Sequence, residues 1–148
     1  MTRRNNWRYA DESLTSVITC EQTNGRAVGH KREPGVMNKT EKRYSEHLEQ
    51  RRQVKELQWW TFEGMTFRIA SHCYYTPDFD VLMANNELQC IDVKGTQHKS
   101  NKAGDIYATD YTEDDARVKL AACAALYPIS FWIVFEDAGN WTLKEVKL

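Results

Sequence analysis

Three ionisable residues fall inside segments that otherwise read as buried sheet. The stretch YYTPDFDVLMANNELQCIDVKG, residues 74–95, is two apolar runs joined by a polar turn, and it carries Asp78, Asp92 and Lys94. Strand alternation puts Asp92 and Lys94 on one face, about 6.7 Å apart along the chain, and turns Ile91 and Val93 toward a core. Asp78 follows Pro77, which favours the start or edge of a strand. If the two runs pair as a hairpin, Asp78 lies beside Asp92. Neighbouring carboxylates repel, and one of them resists ionising. A divalent cation relieves that repulsion, and Mg²⁺ in particular takes one or two carboxylates while keeping several waters. Such an ion lowers the pKa of water and stabilises charge on a phosphate, and a nearby lysine can orient the water or neutralise the transition state. The chemistry expected of the trio is phosphodiester hydrolysis. The competing expectation is a salt-bridge ladder on an exposed sheet face. Asp80 shares the strand face of Asp78 and is the alternative to it, as a second ligand or in its place.

These groups need a frame. A helix is expected from Asn38, where NKTE forms a variant capping box, and Tyr44, Leu48, Val54 and Leu57 supply a sparse apolar stripe. Residues 57–70 read as strand, with Gly64 at a turn or bulge. Residues 75–84 and 87–95 are the next strands, joined by an Asn-rich turn. Residues 96–111 read as a polar loop in which His98, Lys99 and Lys102 either touch a phosphate backbone or are simply solvated. A second helix is expected from Thr112, as cap, to just before Pro128. Residues 129–136 form an apolar central strand and 140–148 an exposed one. The expected class is α/β, a mixed β-sheet flanked by helices in the order α-β-β-β-α-β-β. Residues 1–36 read as an extended, partly ordered N-terminal arm with one short strand at 14–20, and residues 37–148 as a single domain.

Composition narrows the function. With 148 residues the chain suits one domain. Its hydrophobic content of 41% and charged content of 28% are those of an ordinary globular protein. A net charge of −1 excludes a strongly basic coating protein but leaves room for a local basic patch. No apolar run approaches the roughly 18–20 residues a bilayer requires, and the amino terminus lacks a signal-like apolar region. A cytoplasmic protein without membrane association is expected. The cysteines, at 20, 73, 90 and 123, show no C-x-x-C spacing, and Cys90 and Cys123, within apolar patterns, read as reduced core residues. His72, Cys73 and Cys90 make the one weak zinc-like grouping. Trp59, Trp60 and Trp132 read as core rather than base-stacking groups.

The Pro77–Asp78 pair, a short hairpin and Asp92–Val93–Lys94 together resemble the PD-(D/E)-x-K nuclease core. Within that superfamily the chain is similar to phage-type endonuclease I, the Holliday-junction resolvase, and to short phage proteins of matching length and order. The resemblance spans about residues 37–136. It implies a restriction-endonuclease-like core, with Asp78 and Asp92 as metal ligands, Lys94 as catalytic lysine and Glu41 as a further metal or water ligand. Glu41 is also placed to bond back to the Asn38 backbone instead. The resolvase has Glu where this chain has Asp92. The resemblance further implies Mg²⁺, with Mn²⁺ as a substitute, and a phosphate contact from Lys119. It implies a DNA substrate, branched or otherwise structured, and a homodimer in the host-cell cytoplasm. The alternatives are a nicking or degradative nuclease or an RNase of the same fold, and a non-catalytic nucleic-acid-binding module that retained it.

Overall fold

Helix α1 (Lys39–Gln53) begins where Asn38 closes a capping box. The computed structural model describes residues 35–147. In it the Asn38 side chain accepts from the backbone N–H groups of Thr40 and Glu41, and Glu41 accepts from the Asn38 N–H. Orphan amides of the first turn are thereby satisfied. Tyr44 and Leu48, one turn apart, are fully buried, and the rest of the helix is mostly polar, so α1 is held by packing this narrow stripe. Apart from Gly35 and Val36, the expected N-terminal arm and its strand at 14–20 lie outside the described residues.

Residues 57–70 divide into β1 (Leu57–Phe62) and β2 (Phe67–Ala70), and β3 (Cys73–Tyr75) returns against β2. Gly64 lies in the connection between β1 and β2. A Cβ there would come within 2.2 Å of the Thr61 methyl and 2.9 Å of Asp80 Oδ2, so close approach demands the glycine. Next come β4 (Phe79–Met83) and β5 (Leu88–Val93), an antiparallel pair. Their turn closes with Asn86 at φ 67°, a left-handed conformation asparagine tolerates.

The polar run expected as a loop is instead a hairpin, β6 (Gly95–Ser100) and β7 (Ile106–Tyr111). The Asn101 side chain accepts from the N–H groups of Ala103 and Asp105 and so folds the tip locally. Helix α2 (Asp114–Leu126) follows. Thr112 is not its cap: Glu113 is at the cap position, and the Thr112 hydroxyl donates to Asp110 instead. Strands β8 (Ser130–Asp137) and β9 (Asn140–Glu145) complete the chain.

The main sheet has five strands in the order β1-β4-β5-β8-β9. It is mixed, since β5 and β8 run parallel while its other pairs are antiparallel. Strand alternation sorts the core into two layers. Phe79, Val81, Ile91, Val93 and Val134 pack with Tyr44 and Leu48 of α1. Cys90, Phe131 and Ile133 pack with Phe67 and with Leu120 and Cys123 of α2. The helices therefore cover opposite faces of an α/β sandwich, and β8 is buried from both sides. No helix among the described residues is long and apolar enough to cross a membrane.

Candidate functional site

The β4–β5 register pairs Phe79 with Ile91 and Asp80 with Cys90. One step beyond this ladder, Asp78 stands across from Asp92. Pro77 lacks an amide proton and cannot extend the ladder. The Asp78 side chain takes over, and its Oδ2 accepts from the Val93 N–H at 2.7 Å. Lys94 remains fastened to the sheet through its own N–H, which donates to the Val134 carbonyl at 2.9 Å. Its ammonium pairs with Asp92 Oδ2. Asp92 is 2% exposed, whereas the Lys94 side chain reaches solvent at 22%. The cluster is thus closed at its carboxylates and open at its cation.

Glu41 adds a third, fully buried carboxylate from the first turn of α1. Its oxygens accept from the Asn38 N–H and side-chain amide, both at 2.8 Å. The capping interaction is therefore realised, and it does not remove Glu41 from the cluster electrostatically. Burial pushes the Asp78 carboxyl up to about 7, and the charges of Asp92 and Glu41 push in the same direction. The Val93 N–H and Lys94 pull the other way without prevailing.

Asp80 belongs to different surroundings. It is fully buried and accepts from the Cys90 thiol at 3.3 Å. Burial raises its pKa, and the nearby Gly64 and Met65 backbone lowers it. Its environment is thus the β1–β2 connection rather than the Asp78–Asp92 pair.

Sequence reasoning missed Tyr75. Its hydroxyl is buried beside the Asp92 carboxylate. Burial, then the charge of Asp92, a hydrogen bond to Asp92 and the charge of Asp78, drives its pKa far above the ordinary phenol value. A buried hydroxyl that faces two carboxylates belongs with the site. The one signal in the sequence is its position three residues before Asp78; its packing against the α2 layer is visible only in the fold.

The expected phosphate contacts do not gather around the carboxylates. His98, Lys99 and Lys102 are exposed along the β6–β7 hairpin and its turn. Lys119 is on α2, paired with Asp115 at 3.4 Å. The zinc-like grouping does not form among the described residues, where Cys73, Cys90 and Cys123 are free thiols. Trp59 is 45% exposed, while Trp60 and Trp132 pack partly buried against the α1-side core. A separate groove, lined by Arg43, His47, Gln50 and Trp141, contains none of the expected site residues.

The donor set suits a hard divalent cation: buried carboxylates in which burial, and then mutual repulsion, raises Asp78. Among the described residues, however, no three His, Cys, Asp or Glu side chains already surround a single point as metal ligands. Glu41 faces its cap, and Asp92 faces Lys94. No protein-family model, no curated protein and no solved structure matches this chain.

Proposed function

We propose that the chain is a Mg²⁺-dependent endodeoxyribonuclease with a restriction-endonuclease-like core, hydrolysing phosphodiester bonds in branched or structured DNA. The observation that carries this reading is the Asp78–Asp92 pair, with Asp78 raised to about 7 and Lys94 beside it at the solvent boundary. Two carboxylates brought together at the ends of buried strands destabilise the metal-free fold, a pattern typical of functional sites.

Asp78 and Asp92 would hold the ion, and Glu41 would join them directly or through water. When bound, Mg²⁺ supplies Lewis acidity and lowers the pKa of a coordinated water. The side chains do the rest. Asp78, fixed by the Val93 N–H, keeps one oxygen directed by the strand backbone. Lys94 exchanges its pairing with Asp92 for the phosphate, where its ammonium neutralises charge as water adds and one P–O ester bond breaks. Tyr75 can donate to the Asp92 carboxylate that Lys94 leaves. A homodimer would bring two such centres to two strands, and Mn²⁺ would substitute for Mg²⁺.

The second reading is a non-catalytic nucleic-acid-binding module. It is favoured by the direct Lys94–Asp92 pair and by the engagement of Glu41 with Asn38. Cleavage assays on a labelled four-way junction, a matched duplex, a single strand and an RNA, each with Mg²⁺ or EDTA, separate the readings. Junction-selective cleavage lost in EDTA is expected. Equal cutting of all DNAs would give a general nuclease, RNA cutting alone an RNase, and binding without cleavage the non-catalytic module.

A further inference from the structure

The strand that carries Asp92 and Lys94 continues straight into the β6–β7 hairpin, which pairs with no third strand among the described residues. An isolated two-stranded hairpin is marginal in water, yet the base of this one is firmly tied. The Thr96 hydroxyl donates to the Glu136 carbonyl. Buried Asp110 accepts from Thr112 and Lys144 and lies 3.7 Å from Arg117. Thr96 and Asp110 are cross-strand partners and so share the anchored face.

The other face carries the pairs Gly95–Tyr111, Gln97–Thr109 and Lys99–Tyr107. Tyr107 is 49% and Tyr111 59% exposed. They are four residue steps apart on the strand, about 14 Å, with exposed Lys99 beside the outer one and Lys102 at the tip. Exposed aromatic rings invite a partner, and lysine is depleted from protein–protein interfaces. Two exposed rings with a lysine beside the outer one match the way unpaired nucleotides are held: bases stack on the rings and phosphates meet the ammonium groups. A duplex offers only its phosphates, because its bases already stack on each other.

We infer that this hairpin face is a docking surface for an unpaired DNA segment adjoining the cleaved phosphodiester, with Tyr107 and Tyr111 as stacking platforms and Lys99 as their phosphate contact. This rests on the proposed nuclease reading and refines its substrate to DNA with single-stranded character at the branch.

The test is binding in EDTA, where cleavage is absent, using a duplex with a single-stranded tail bearing 2-aminopurine and the same duplex without the tail. The wild type should favour the tailed DNA and quench its fluorescence. Tyr107→Leu and Tyr111→Leu, checked for folding by circular dichroism, should each cut the tailed-to-blunt affinity ratio about tenfold. Replacing the tail bases by abasic sites should do the same to the wild type. An unchanged ratio and unchanged quenching in both variants would overturn the inference. So would variants that alter only self-association by sedimentation, since the face would then seat a second copy. If the wild type showed the tail preference but never cleaved DNA in Mg²⁺, the nuclease reading would fail and the docking surface would stand. Mg²⁺-dependent cleavage without tail preference would leave the reverse.

Discussion

Asp78 is buried across from Asp92 and within the field of Glu41, and burial first, then these charges, raises its pKa in the absence of metal. Its folded pKa, about 7, exceeds the ordinary 3.8. Between those values the folded chain binds more protons than the unfolded chain, so stability falls as pH rises through that window. Asp78→Asn keeps an acceptor for the Val93 N–H and removes the charge. It is expected to stabilise the metal-free protein at pH 8 by up to about 4 kcal/mol and to leave stability near pH 4 little changed, as urea denaturation in EDTA would measure. The same variant should lose Mg²⁺-dependent cleavage. If it destabilised the protein at pH 8, the carboxylate cluster would be a supporting network instead. Tyr75→Phe tests the neighbouring hydroxyl. Removing a buried hydroxyl that faces Asp92 should cost no more than about 1 kcal/mol of stability, while single-turnover cleavage slows about tenfold. A large loss of stability with unchanged cleavage by the folded fraction would show that its role is structural.

At the scale of elements, the β6–β7 hairpin hangs on Asp110. Burial alone would raise the pKa of this carboxyl, but the Thr112 hydroxyl, Lys144 and Arg117 together hold it below the ordinary value. A depressed folded pKa contributes stability above the unfolded value that is lost as pH falls through the folded one. Asp110→Ala should cost about 1–3 kcal/mol and raise amide exchange across residues 95–111 ahead of the main sheet. Uniform loosening of the whole sheet would contradict the hairpin's role as a separately anchored unit. Gly64→Ala forces a methyl against Thr61 and Asp80, at an expected 1–3 kcal/mol, read from the shift in denaturation midpoint.

Elements with strong local signals were legible in the sequence. Asn38 and Glu41 marked the start of α1, and Asn85–Asn86 marked the β4–β5 turn. The β6–β7 hairpin was not legible. Its first strand is polar almost throughout and its second mixes apolar, aromatic and polar residues without alternation, and its stability comes from distant partners, Glu136 and Lys144, that no local window contains. The cap of α2 was misread for a related reason: Thr112 is a good cap residue locally, but a buried carboxylate two residues upstream claims its hydroxyl.

For the whole molecule, the sheet brings together what the chain separates. Glu41, Asp78 and Asp92 come from a helix and from the ends of two strands, and one covered α/β sheet fixes all three. Pairing on β4–β5 and alternation were enough to expect the Asp78–Asp92 juxtaposition. The contribution of Tyr75 depends on how β3 packs beneath α2, which is a tertiary matter. On the proposed reading, a net charge of −1 means that DNA is met by a local surface rather than by the overall field. Binding to plain duplex should then be weak, with a small salt slope set by the few phosphates neutralised.

The most direct measurement is single-turnover cleavage of an end-labelled branched DNA in Mg²⁺ by the wild type and by Lys94→Ala, with binding of both measured in EDTA. The variant is expected to bind DNA within about threefold of the wild type, as loss of one phosphate contact allows, and to cleave at least about a hundredfold more slowly. Equal cleavage by the two proteins, or no Mg²⁺-dependent cleavage by the wild type, would contradict the nuclease reading and leave Lys94 and Asp92 as a structural ion pair.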